Sequence, residues 1–340
     1  MNIFLTGSTG NLGPSLAAAL TSHRIIALMR NGAEAPSLPN VTTVAGDLDH
    51  LPEGITGDIE IIIHGAANTG FTLPLDELRA VNVAGTEKVL AFANCCPRLR
   101  RFVHLSTCCV CGTTGGVIPE APLERPVSFI NTYEQSKWEA EQAVLSSGLP
   151  HQIVRLSIVA GSELDGHVRR PGALHHALLW LYRGLIPMMP GTPDAPVDVI
   201  SLEFAAACVA EAVNRAAVPS PVVHAALGTH APHLGELLVH CAGLFREEHR
   251  GWQSGGITLP DIVDAHTFAL FEQSARQTGD LLFQRVCQDA QSFLPGLLHP
   301  RVYAAEHNAH LAAGDWRQLV TRVFTHLKST HWHSPQRPTP

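Results

Sequence analysis

Short apolar runs alternate with longer segments of helical period over the first half of this chain. Asn2–Thr6, Ile25–Met29, Val41–Ala45, Glu60–His64, Phe102–Ser106 and Ile153–Val159 are rich in β-favouring residues. Near-continuous apolar runs of this length suit strands covered on both faces. Between them, Asn11–Thr21, Leu75–Phe92 and Asn131–Ser146 carry helical patterns. Pro14 falls near the first turn of its helix, where proline is tolerated, and Asn131 reads as an N-cap. The alternation predicts an α/β fold, a doubly wound parallel sheet of the Rossmann type.

The pattern changes after about residue 165. Proline and glycine are dense from Pro187 to Pro196. Glu203–Asn214 reads as a helix and Val222–Ala226 as a late strand. Asp261–Glu272, Asp280–Ala290 and Trp316–Leu327 are helical, and Ser254-Gly255-Gly256 reads as a loop. The expected organisation is a cofactor domain over 1–165, a smaller and mostly helical substrate region over 166–330 with late sheet elements, and a flexible tail over 331–340.

Composition narrows the class. The 340 residues hold 30 acids against 23 cations, a net charge of −7, without basic blocks. That balance argues against nucleic acid as a partner. Charged residues are 16% and hydrophobics 45%, enough for a sizeable core. Eight cysteines are too few for a disulfide scaffold, so a reducing, cytoplasmic setting is expected. The opening residues have no basic region before glycine appears, unlike a signal peptide. His175, His176 and Arg183 interrupt the most apolar later stretch, so no membrane span is expected.

The first strand runs into Thr6-Gly7-Ser8-Thr9-Gly10-Asn11-Leu12-Gly13. A glycine-rich turn here lets the backbone approach a pyrophosphate, next to the free N–H groups of a helix start. The spacing is G-x-x-G-x-x-G, and its place at the first strand–helix junction makes it specific. The second strand ends in Leu28-Met29-Arg30, without the acid that reads the ribose of NAD. A guanidinium suits a 2′-phosphate, which favours NADP(H) over NAD(H).

A third signal is chemical. Phe102–Thr107 ends in hydroxyls, and Tyr133-Glu134-Gln135-Ser136-Lys137 opens the strongest helix. Tyr133 and Lys137 share a helix face. A free phenol titrates near 10, and an adjacent ammonium is expected to lower that value. A strand-end hydroxyl beside the phenol can hold a carbonyl oxygen, while a nicotinamide supplies hydride and Tyr133 the proton.

These motifs resemble the extended short-chain dehydrogenase/reductases of the NAD-dependent epimerase/dehydratase superfamily. The likeness covers the first 160 residues or so, including Gly46-Asp47-Leu48, His64-Gly65-Ala66-Ala67 and Val81-Asn82-Val83-Ala84-Gly85-Thr86. It implies Thr107, Tyr133 and Lys137 as the catalytic trio, with Ser106 an alternative to Thr107. It also implies cofactor contacts from Thr6, Gly7, Thr9, Gly10, Asn11, Leu12, Gly13, Arg30, Asp47, Leu48, Ala66, Ala67, Asn82, Ser106, Tyr133, Lys137, Leu156, Ser157 and Ile158. Asp47 and Leu48 are placed near the adenine, and Ala66 and Ala67 near the pyrophosphate or ribose. Tyr133–Glu141, Val154–Gly161 and Pro190–Asp198 are similar to the fatty acyl and thioester reductase branch, although Leu156 stands where that branch usually has proline. The branch reduces an acyl thioester to an aldehyde or alcohol. The acyl group then arrives as a coenzyme A ester or on a carrier protein in trans, since no carrier motif is present.

Rival functions share the scaffold. A sugar epimerase would keep an acid at the second strand end, and a nucleotide-sugar dehydratase would place Asp-Glu after the catalytic Thr, where this chain has Cys108-Cys109. A ketone or aldehyde reductase needs only the trio and is the nearest rival. A non-enzymatic NAD(P) sensor would be expected to lack the Tyr or Lys. Cys108–Cys111 contains a C-x-x-C, but it follows a strand instead of opening a helix, which argues against redox use. The histidine pairs lack metal-ligand spacing, so no metal is expected.

Overall fold

The computed structural model describes residues 1–30, 38–216, 220–248, 259–277, 279, 281–291, 294–330 and 332. Ser254–Gly256 and nearly all of the expected tail lie outside them.

The chain begins β1 (Asn2–Thr6), α1 (Gly13–Ala19), β2 (Arg24–Met29), β3 (Val41–Ala45), β4 (Ile61–His64), α2 (Leu75–Asn82), α3 (Ala84–Asn94) and β5 (Arg101–Thr107). It continues β6 (Gly116–Ile118), α4 (Thr132–Leu145), β7 (His151–Leu156), β8 (Ile158–Gly161), α5 (Ala173–Tyr182), β9 (Met188–Pro190), β10 (Val199–Ser201), α6 (Leu202–Asn214) and β11 (Val222–Ala225). It ends α7 (Leu234–Glu248), β12 (Asp261–Val263), α8 (Ala265–Gln277), α9 (Leu281–Gln291), β13 (Arg301–Tyr303) and α10 (Trp316–Thr330).

Seven parallel strands form the main sheet in the order β11-β7-β5-β4-β1-β2-β3. The order reverses between β1 and β4, which opens a crevice at their carboxyl ends. Ile61, Ile62 and Ile63 of β4 are fully buried because α-helices cover both faces. On one face α1 and α6 pack, with Leu16, Phe204 and Val209 in the core. On the other, Val89 of α3 and Val144 of α4 meet Phe4 and Phe102. Thus α6 and β11 return to the cofactor sheet although they follow residue 165. A separate apolar core joins α5, α7 and α10 in the smaller region.

Four predicted elements differ from the structure. The first helix spans Gly13–Ala19 and not Asn11–Thr21, which leaves Thr9–Leu12 as a turn. The segment Leu75–Phe92 is two helices broken at Val83, where the Asn82 amide turns inward to grip both backbone groups of Asn68. The strand through Ile153–Val159 breaks at Ser157. Ser157 N bonds Ala225 O of β11, and the next residue, Ile158, bonds Asp198 O, so the chain changes sheets there. Asp261–Val263 is strand paired with β9, and the helix starts later because Asp264 accepts from Thr267 N at 2.8 Å, a side-chain cap. No helix among the described residues is long and apolar enough to cross a membrane.

Candidate active site

The glycine turn sits where β1 meets the crevice. Gly7 has φ +81°, and a Cβ there would lie 2.5 Å from the Gly65 carbonyl carbon, so the turns after β1 and β4 touch backbone to backbone. At Gly13 a Cβ would meet Ser8 O at 1.9 Å. Thr6 ties the two turns: its Oγ1 lies 2.8 Å from His64 Nδ1 and accepts from Ala66 N at 3.2 Å. The side chain of Asn11 is held by both backbone groups of Arg170, which anchors the turn to the segment before α5. Arg30 is exposed at the end of β2.

Two expected cofactor residues also make contacts within the protein. Asn82 is 1% exposed, and its amide bonds Asn68 and Ser136 Oγ, which positions the turn after β4 and α4. Asp47 accepts from Asp49 N and His50 N of its own turn, which with His50 holds its carboxyl below the usual range.

The trio converges at the carboxyl end of β5. Asn131 caps α4 by accepting from Glu134 N at 2.9 Å, which fixes the first turn bearing Tyr133. The Tyr133 phenol lines the same cavity as Thr107, and its ring packs 5.2 Å from Phe71. Thr107 Oγ1 also accepts from Cys109 N. Ser106 is buried, and its Oγ has no partner among the described residues. Lys137 is 3% exposed; its Nζ donates to Leu105 O at 2.8 Å and lies 3.4 Å from His104 Nε2.

Electrostatics revise one expectation. Burial pushes the Tyr133 phenol above its ordinary value, with Cys109 and Glu134 adding to the shift and the Thr107 hydrogen bond opposing it. The predicted lowering by Lys137 is not part of that balance, because the ammonium is drawn to Leu105 O. Burial lowers Lys137 itself to about 8 against the pull of Glu141. His64 and His104, buried beside that cation, are held in the neutral form.

Thr107 and Tyr133 open onto a cavity of about 400 Å³. Ser106, Leu156, Ser157 and Ile158 line it near the trio, and Leu174, Leu178, Leu181, Leu237 and Leu238 line its apolar body. Glu134, His299 and Arg301 also face it. Sequence reasoning missed these three. Glu134 stands inside the Tyr-x-x-x-Lys motif but at no diagnostic spacing, and Arg301 arrives on a strand far along the chain.

The dinucleotide implied by this fold fits the residues present. The backbone cradle of Gly7–Gly13 lies at the sheet's reversal point, and the unpartnered Ser106 hydroxyl faces the same space as Tyr133. Among the described residues, no cluster of His, Cys, Asp and Glu is suited to a metal ion.

The family model described as male sterility protein, an NAD-binding domain, matches residues 37–209. Glycine betaine reductase ATRR of Emericella nidulans is 25% identical over 271 residues, 65% of this chain and 20% of that protein. The 4-hydroxy-2-methyl-3-oxo-4-farnesyl-3,4-dihydroquinoline-1-oxide ketoreductase of Stigmatella aurantiaca is 33% identical over 177 residues, 48% of this chain and 52% of that protein. The chain thus spans about half or less of the length of these relatives. The terminal R domain of the myxalamid PKS-NRPS pathway shares the fold, with a TM-score of 0.76 over 98% of this chain and 92% of that one at 21% identity. The segment matched by the family model is half of the chain and holds Thr107, Tyr133 and Lys137. The chain belongs to the male sterility protein family, an NAD-binding family of thioester-reductase-like extended short-chain dehydrogenase/reductases.

Proposed function

We propose that the chain reduces an acyl thioester, carried by coenzyme A or by an acyl carrier, with NADPH. The observation that carries this reading is the cavity. It sets Thr107 and Tyr133 in the wall of a leucine-lined space able to take an acyl chain. Bound in the crevice, the nicotinamide supplies hydride to the carbonyl carbon. Thr107 and Tyr133 hold the carbonyl oxygen from one side, and Tyr133 gives it a proton as negative charge develops. A phenol with a raised proton affinity stays protonated at neutral pH and is ready to donate. Lys137, fixed by Leu105 O, would hold the ribose of a bound cofactor, and it keeps a positive charge below about pH 8. The apolar walls exclude water, which strengthens each of these hydrogen bonds.

In this reading residues 1–165 with α6 and β11 hold the cofactor, and the cavity walls from α5 and α7 hold the acyl chain. The terminal R domain of the myxalamid pathway supports a carrier-bound donor, and the Stigmatella ketoreductase favours a second reading, reduction of a ketone. Following NADPH consumption with acyl-coenzyme A, acyl-carrier and ketone substrates separates them: turnover of thioesters supports the first, and turnover of ketones alone supports the second.

Arg30 carries the NADPH preference. Arg30→Ala is expected to raise the KM for NADPH on the order of tenfold or more, the scale of a lost charge-assisted contact, and to leave the KM for NADH nearly unchanged. Initial rates with both cofactors check this; equal effects on the two would remove Arg30 from the 2′-phosphate.

A further inference from the structure

The catalytic cavity holds an acid that the trio does not use. Glu134 is 4% exposed, next to Tyr133 in sequence, and faces the same space. Its Oε2 accepts from Ile130 N at 3.0 Å, whereas no described residue bonds Oε1. The groups around it are Arg301 from β13, Cys109 and Cys111 from the turn after β5, and Tyr133 on its own helix, with His299 and Tyr303 beside Arg301. Glu134 lines the cavity beside Tyr133, and with one of its oxygens pinned on a backbone N–H the other is left to carry a proton.

We propose that Glu134 is the acid that protonates the departing thiol when an acyl thioester is reduced. The inference rests on the thioester reading above.

Hydride from the nicotinamide first adds to the carbonyl carbon, and Tyr133 protonates the oxygen. The carbon now bears oxygen, sulfur and the new hydrogen. In the next step Tyr133 takes its proton back, an oxygen lone pair re-forms C=O, and the C–S bond breaks with its electron pair going to sulfur. Sulfur takes the proton from Glu134 Oε1. The products are an aldehyde, a free thiol and oxidised cofactor. The Glu134 carboxylate regains its proton from solvent, so each thioester consumes one hydride and one proton.

The proton affinities suit this division of labour. A thiol titrates near 8.5. The Tyr133 phenol lies above its usual 10 and holds its proton too tightly to give it to such a thiolate. Burial raises Glu134 to about 7, against the pull of Arg301. Transfer from that carboxyl to a thiolate is downhill, and near neutral pH the acid form is well populated. Two acids whose environments push their affinities apart take different roles. Glu134 is protonated below about 7 and ionised above it, so the thiol-release step weakens as pH rises through that value.

The test compares octanoyl-coenzyme A with S-phenyl thiooctanoate, whose thiophenolate leaves without help. Glu134→Gln keeps an oxygen for Ile130 N–H but cannot transfer a proton. It is expected to lower kcat about 100-fold on the coenzyme A ester, to be largely restored on the phenyl ester, and to lose the fall in rate near pH 7. The limb near 8 belonging to Lys137 persists. Unchanged turnover of octanoyl-coenzyme A, or an equal loss on both esters, overturns the role of Glu134 and leaves the thioester reading standing. A wild-type protein inert to both esters overturns that reading and the role of Glu134 with it.

Discussion

Tyr133→Phe is expected to lose about 10² to 10⁴ of turnover with any carbonyl substrate, the range of a single positioned acid. The substitution removes one oxygen. The ring still packs on Phe71, and Asn131 still caps the helix, so the fold and the cavity walls persist. What disappears is the hydroxyl that lines the cavity with Thr107. Its loss leaves no proton donor of matching position for the developing oxyanion. The effect falls on kcat, because hydride transfer without protonation builds charge in an apolar space. Steady-state rates at saturating cofactor check this; a variant within fivefold of wild type would take Tyr133 out of the mechanism.

The second large effect is structural and lies behind the trio. Arg155 of β7 is fully buried and makes a bidentate pair with Glu141 of α4, Nε to Oε1 at 3.0 Å and Nη2 to Oε2 at 2.7 Å. Its third contact is Ala121 O. The pair fastens the helix that bears Tyr133 and Lys137 to the central sheet. Arg155→Met leaves the Glu141 charge buried without its partner, which typically costs about 3–5 kcal/mol. Against a usual total of about 5–15 kcal/mol, that is a large share. Urea unfolding measures it. Changing both residues to apolar ones of similar volume is expected to recover most of the loss, since it is the orphaned charge that is expensive. A single variant that unfolds at the wild-type midpoint would show the clamp to be dispensable.

Much of the cofactor half was legible in the sequence because its signals are local. A buried parallel strand writes a short apolar run, as at Ile61–His64, and a helix start writes its cap, as at Asn131. The glycine turn and the trio lie in such elements. The pieces that escaped depend on partners distant in sequence. Nothing near Asp261 announces that it pairs with Met188, nor does Gly116 reveal its partner Arg301. For the same reason Arg301 and Glu134 were not seen as neighbours. The expected lowering of Tyr133 by Lys137 met an effect that a shared helix face does not reveal: burial raises the phenol, and Lys137 donates to a strand carbonyl.

The most direct test of the central claim is the stoichiometry of a single reaction, octanoyl-coenzyme A and NADPH mixed with the protein, with aldehyde trapped and free thiol titrated. The account predicts one thiol and one aldehyde for each NADPH consumed up to the first reduction. Steady NADPH consumption with a ketone and no thiol released from the thioester would contradict it.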